Sequence, residues 1–433
     1  MYFVYSFLLT TGLLLLSPYF LYQAWRHGKY LPSLRERLGW LPAFEHTRPV
    51  IWLHCVSVGE TQAARPLAQV IRERYPDHDL VVTTTTLTGQ NIAREVFADL
   101  ACRVFYFPFD WRFAVRRTIN QVHPSLVLIM ETEIWPNFLR ECGERNIPVA
   151  IVNGRLSERS FRRYQLVSGF IRRVLGDVQL AAMQSTADAE RIVALGLAPV
   201  RSLVAGNIKF DLAPAPAEEV LARELCRRFG LDADRPVIVA ASTHTPEEAV
   251  ILAAYRELKR SRPDARLVVV PRHPERFAEV AALINRSEFS SARRSGKPDK
   301  KDRDCDVVLL DSIGELRAMM SLADLVFVGG SIAATGGHNV LEPAALKKCI
   351  ITGAHTFNFT EIVGTLVAAD ALVQLGLLPV AEATTELARH FRELLADDER
   401  RAGLAQRAFD VVQANRGATD RTVEAVGRLI PTV

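Results

Sequence analysis

The stretch Phe327-Val328-Gly329-Gly330-Ser331 is followed by Gly336-Gly337-His338-Asn339 and, three residues on, by Glu342. A short apolar run ends in paired glycines, a second glycine pair precedes a helix-like segment, and one carboxylate falls in that segment's first turn. In a parallel α/β sheet this order holds a nucleotide. Glycines let the backbone approach a phosphate, the helix N-terminus favours an anion, and an early acid accepts hydrogen bonds from ribose hydroxyls. A glycine turn that merely joins a strand to a helix has the same look. The rest of the chain has to decide between the two.

Outward from this stretch, short β-branched runs alternate with helix-like segments, the rhythm of parallel sheets with crossover helices. The runs Val50 to Val56, Leu80 to Thr86, Arg103 to Phe107, Leu126 to Met130, Val149 to Val152, Leu180 to Gln184 and Ser202 to Ala205 form a first set. Leu212-Ala213-Pro214-Ala215-Pro216 then interrupts regular structure. Val237 to Ala241, Arg266 to Val270, Val307 to Leu310, Leu325 to Val328 and Cys349 to Thr352 form a second set. The polar stretch Arg293 to Asp306 reads as a surface loop, and the chain from Thr385 to Leu429 as mainly helical with a break near Gln413 to Gly417. The expected organisation is an anchor over 1–25, one α/β domain over 26–212 and a second over 213–433, with a cleft between two lobes.

With 433 residues there is room for two cores, and a net charge of +4 is too small for a nucleic-acid binder, so no nucleic-acid partner is expected. The six cysteines are scattered without a CxxC pair, which suits a reducing compartment and gives no zinc site. From Met1 to Trp25 there is no charged side chain, and a helix of that length is roughly 37 Å long, enough for a hydrocarbon core of about 30 Å. Arg26, Lys29, Arg35 and Arg37 follow, which by the positive-inside tendency puts the remainder in the cytoplasm. Pro18 leaves a kinked helix lying in one leaflet open as well.

Several constellations carry possible chemistry. Glu60, in Ser57-Val58-Gly59-Glu60 after the first strand, is either a general base or an ordinary first-turn acid. Glu131-Thr132-Glu133 follows another strand; one carboxylate caps the next helix and the other faces the expected cleft, or both are caps. Lys209 either meets an anion or pairs with Asp211. Pro271-Arg272-His273-Pro274 presents two phosphate-competent side chains on a backbone fixed by prolines. Ile313-Gly314-Glu315 offers a turn and a helix start able to read a base. Asp302-Arg303-Asp304 and Asp304-Cys305-Asp306 match a D-x-D pattern, yet precede a strand rather than follow one and read as solvated surface, so no metal is expected.

Together these motifs resemble the Kdo transferases, membrane-anchored enzymes that move 3-deoxy-D-manno-octulosonic acid (Kdo) from CMP-Kdo to a lipid A precursor. The resemblance runs through His54-Cys55-Val56-Ser57-Val58-Gly59-Glu60-Thr61, Leu128 to Asn137, Lys209-Phe210-Asp211, Val270 to Phe277, Phe327 to Ser331, Gly336 to Asn339 and His355-Thr356-Phe357-Asn358-Phe359. It implies an α/β GT-B fold of two Rossmann-like lobes and an inverting, metal-independent transfer without a cofactor. It implies Glu60 as proton acceptor and Glu131 and Lys209 as transition-state groups. Pro271, Arg272, Ile313, Gly314, Glu315, Asn339, Val340, Leu341 and Glu342 are implied as CMP-sugar contacts. Where relatives often carry Asn-Pro-Leu-Glu, this chain has Asn339-Val340-Leu341-Glu342. The implied setting is the cytoplasmic face of a bacterial inner membrane, with the basic, aromatic segment Arg159 to Arg173 as a docking face or an ordinary amphipathic helix. Competing expectations are a GT-B transferase or 2-epimerase using a UDP-sugar, and a membrane-tethered nucleotide sensor.

Overall fold

The computed structural model describes residues 1–27, 31–42, 48–211, 216–231 and 235–430. The chain forms two compact units, Met1–Asp211 with Asn415–Val433, and Leu212–Ala414. The proline-containing junction over 212–215, the side chains of Pro18, Tyr19, Tyr22, Trp25 and Arg26, and Lys29 lie outside the described residues.

The first unit holds seven parallel strands: β1 (Val50–Cys55), β2 (Asp79–Thr84), β3 (Arg103–Tyr106), β4 (Pro124–Met130), β5 (Val149–Gly154), β6 (Leu180–Met183) and β7 (Ser202–Val204). Their order is β3-β2-β1-β4-β5-β6-β7. The central strands are buried on both faces, which is why they read as continuous apolar runs rather than alternating ones. Trp52 anchors this core and spends its indole N–H on Thr83 Oγ1 at 2.8 Å. His54 is a core residue too. It stacks on Phe107, and burial lowers its pKa to about 3.

The second unit repeats the architecture with β8 (Val237–Thr243), β9 (Arg266–Pro271), β10 (Ser291–Arg293), β11 (Val307–Leu309), β12 (Leu325–Val328), β13 (Cys349–Thr352) and β14 (Val373–Gln374). The order is β10-β11-β9-β8-β12-β13-β14, all pairs again parallel. In both sheets the strand order reverses beside the first strand, between β1 and β4 and between β8 and β12. That reversal leaves a crevice at the carboxyl ends, where open α/β sheets take their ligands.

One boundary and one loop differ from the sequence reading. The C-terminal helix Ala418–Gly427 belongs to the first unit, not the second, because Ala418, Val423 and Val426 are buried in the same core as β1 and β4. Asp211 fixes the join, its carboxylate accepting the N–H groups of Gly417 at 2.7 Å and Thr419 at 2.6 Å. The stretch Arg293 to Asp306 is not a plain surface loop. It contains the end of β10 and a 3-10 turn over Lys300–Arg303 capped by Asp299, where Asp302 is buried, accepts the N–H of Asp299 and meets Arg228 Nε at 3.1 Å.

The N-terminal segment is a helix, Tyr2–His27. Tyr5 Oη donates to Asp110 at 2.9 Å, Asn137 Nδ2 to Ser6 Oγ at 3.0 Å and Trp111 Nε1 to Thr10 Oγ1 at 3.0 Å, so one face docks on the first unit by polar contacts. Phe3, Phe7, Leu8, Leu14 and Leu15 are exposed. Among the described residues no helix is long and apolar enough to cross a membrane.

Candidate active site

At the carboxyl end of β1, Ser57 caps the helix Val58–Ala63 in a reciprocal capping box with Glu60. The Glu60 carboxylate accepts the N–H of Val56 at 2.7 Å and that of Ser57 at 3.1 Å. The capping reading is therefore correct as far as it goes. Each oxygen still keeps a lone pair free for a proton. Burial raises the Glu60 pKa, the two N–H donors oppose it, and the charge of Glu131 adds to the rise.

At the end of β4, Glu131 sits at φ 55°, a left-handed backbone that a side chain with a Cβ adopts only under constraint. Its amide is held by Val152 O at 3.0 Å. Neither Glu131 nor Glu133 caps the next helix, Pro136–Glu144, although both sequence alternatives have at least one of them do so. That task falls to Asp110, whose carboxylate accepts the N–H groups of Asn137 at 3.0 Å and Phe138 at 2.8 Å. Both glutamates are thereby released for other work. Burial, followed by the charges of Glu60 and Glu131, raises the Glu133 pKa to about 7.

Lys209 completes the group. Asn207 shapes the 3-10 turn Ile208–Phe210, and Lys209 Nζ stands 3.4 Å from Glu131 Oε1. The alternative pairing with Asp211 does not occur, since that carboxylate is spent on the C-terminal helix. Three carboxylates and one ammonium thus meet at the strand-order reversal of the first sheet. This is a place where a proton can be taken up beside a compensating positive charge.

The second unit gathers three imidazoles and a guanidinium at its own reversal. His244 follows β8, Pro271 ends β9 with Arg272 and His273 directly after it, and His338 lies in the loop after β12. His244 and His338 stack with Nε2 to Nε2 at 2.8 Å, and His273 meets His244 edge-on at 5.1 Å between centroids. Burial, then the charge of Arg272, lowers the His338 pKa to about 4. Arg272 is exposed and also acts on Glu342, whose own pKa burial raises. Asn339 Nδ2 donates to Glu342 Oε1 at 3.1 Å, while Val340 and Leu341 are fully buried, so the polar pair is what this motif offers a ligand.

Ile313 and Gly314 stand in an exposed turn, with Ile313 80% exposed and Gly314 at φ +85°. Glu315 is held by Arg294 at 2.8 Å. Among the described residues no three His, Cys, Asp or Glu side chains are placed so that they could hold a metal ion. Sequence reasoning passed over Glu247, which the structure places under the glycine loop. A second buried acid beside it, Glu248, pairs with Arg276 at 2.6 Å.

Residues 32–212 match the family model described as 3-deoxy-D-manno-octulosonic-acid transferase (kdotransferase). A 3-deoxy-D-manno-octulosonic acid transferase of Haemophilus influenzae is 38% identical over 92% of this chain and 91% of its own length. The chain belongs to the Kdo transferase family. It is therefore an enzyme, a glycosyltransferase. A Kdo transferase of Chlamydophila psittaci is 31% identical over 100% of this chain and 97% of its own. A UDP-GlcNAc 2-epimerase of Neisseria meningitidis, solved with UDP-GlcNAc bound, covers 88% of this Kdo transferase and 100% of its own chain at 13% identity and a TM-score of 0.57. That likeness is one of fold alone.

Proposed function

We propose that the chain transfers Kdo from CMP-Kdo to a hydroxyl of a lipid A precursor, in lipopolysaccharide core biosynthesis, with inversion at the anomeric carbon and Glu60 as proton acceptor. The observation that carries this reading is the meeting of Glu60, Glu131, Glu133 and Lys209 at the reversal between β1 and β4 in a member of the Kdo transferase family.

The acceptor oxygen bonds to the anomeric carbon as its proton passes to Glu60. The bond from that carbon to the phosphate oxygen breaks on the opposite face, and its electron pair leaves with CMP. The anomeric carbon is fully substituted and adjoins a carboxylate, so the transition state has oxocarbenium character. Lys209, positioned by Glu131, meets the negative charge of the donor's carboxylate, and Arg272 meets the charge on the departing phosphate. One phosphate requires no metal clamp in this scheme.

In this reading the chain works at the cytoplasmic face of a bacterial inner membrane; the exposed apolar residues of the helix Tyr2–His27 support attachment to a membrane surface. Phe170, which packs against Tyr2 at 5.3 Å, ties that helix to the arginines of Ser168–Leu175. With Glu158–Gln165, this segment forms two short helices rather than one, and supplies a basic margin for a phosphorylated glycolipid.

The test is turnover of the purified full chain with CMP-Kdo and a lipid A precursor, read by mass spectrometry of the lipid and by the anomeric configuration of the product. Glu60→Ala is expected to abolish transfer while CMP binding stays near normal. Retained turnover overturns the role of Glu60, and binding of UDP-sugars without CMP overturns the donor.

A further inference from the structure

The glycine loop has a feature its sequence conceals. Glu247, the first residue of the helix Glu247–Lys259, is completely buried, and its carboxylate fills the loop from below. Oε2 accepts the N–H of Gly330 at 2.7 Å and of His244 at 2.9 Å. Oε1 accepts those of Ser331 at 2.9 Å, Ile332 at 2.9 Å and Ala333 at 3.2 Å. Among the described residues Glu247 has no ion pair; backbone amides alone meet its charge.

Successive backbone N–H groups turned inward form a concave anion site, the kind that elsewhere cradles phosphate. Here the cradle lies at the reversal between β8 and β12, where a ligand is expected, and its donors already have an anion. The glycines serve that internal anion. A Cβ on Gly329 would stand 2.8 Å from Glu247 Oε2 and 2.7 Å from Ser242 O. A ligand phosphate reaching the same amides would have to expel a buried carboxylate or lie against it, and both are costly. Outside the cradle, burial lowers the pKa of His244 and of His338, so Arg272 is the cation the loop has at hand, enough for one phosphate.

We propose that Glu247 is a specificity-determining residue, a built-in anion in the place a second phosphate would take, which makes this unit a reader of nucleoside monophosphate sugars and excludes nucleoside diphosphates. The inference rests on the CMP-sugar reading above and adds the residue that enforces it.

The test is calorimetric titration of the purified full chain with CMP and with CDP, then of Glu247→Gln, which removes the charge and keeps the size. The wild type is expected to bind CMP at least about tenfold more tightly than CDP. In Glu247→Gln that ratio is expected to shrink toward one through a gain for CDP, a change that mere loosening of the loop would not give. Equal affinity of the wild type for CMP and CDP overturns the inference and leaves the donor reading standing. Binding of neither nucleotide overturns both. An unchanged ratio in a folded Glu247→Gln protein also overturns the inference; should the variant not fold, the wild-type ratio decides.

Discussion

Lys209 Nζ lies 3.4 Å from Glu131 Oε1 although the two residues are 78 positions apart. Both side chains are about one quarter exposed, so the pair adds little to stability, under about 1 kcal/mol. Its value is in placing an ammonium beside a carboxylate cluster. Lys209→Ala is expected to shift Tm by less than about 3 °C and to lower kcat by about 100-fold or more. Thermal unfolding and initial rates with CMP-Kdo check both parts.

In the proposed reaction Glu60 has two jobs that one substitution separates. Glutamine keeps the capping box, whose fourth position accepts Glu or Gln, but cannot take the acceptor's proton. Glu60→Gln is expected to retain stability within about 1 kcal/mol in urea denaturation and to lose at least about 100-fold in kcat. Glu60→Ala is expected to lose both.

Glu133 should show itself in pH dependence. Its pKa is raised from 4.5 to about 7, so the folded protein binds a proton that the unfolded chain has released. The stability this group gives is complete below about 4.5 and is lost as pH rises through about 7. Glu133→Gln is expected to flatten stability across that window in denaturation at stepped pH. If ionised Glu133 assists Glu60, the acid limb of the rate profile also moves downward in the variant.

Arg272 is exposed, and its removal should leave the fold intact. Arg272→Ala is expected to weaken CMP binding by about tenfold or more, with Tm unchanged, as measured by titration and thermal unfolding.

Asp211→Ala removes the carboxylate that accepts from Gly417 and Thr419. The expected loss is about 1–2 kcal/mol in urea denaturation, by the same physics as any helix cap. Amides of Ala418–Gly427 should exchange faster, those of β8 and β9 should not.

The central strands were legible because burial on both faces leaves a run of Val, Ile and Leu that composition alone betrays, as in Val50-Ile51-Trp52-Leu53. Edge strands such as Ser291–Arg293 and Val373–Gln374 carry no such run and were missed. At the site, Glu60, Glu131 and Arg272 stood out because each ends a strand. Glu247 did not, because a glutamate in a first helical turn is ordinary, and the amides that distinguish it lie more than eighty positions away. Asp110 was invisible for the same reason, its partners Asn137 and Phe138 being joined to it only by the fold. Likewise, no local signal could say that Asp211 would choose the C-terminal helix over Lys209.

The return of Ala418–Gly427 to the first sheet has a consequence for biosynthesis. Chains are made from the N-terminus, and domains tend to fold as they emerge. Here β1 to β7 are translated early, yet the apolar surface that Ala418, Val423 and Val426 cover stays open until the whole of the second unit has been synthesised. The second unit is able to finish first, and the unit bearing Glu60 is sealed last, so nascent chains stalled before Asn415 should be the ones that chaperones hold and proteases find.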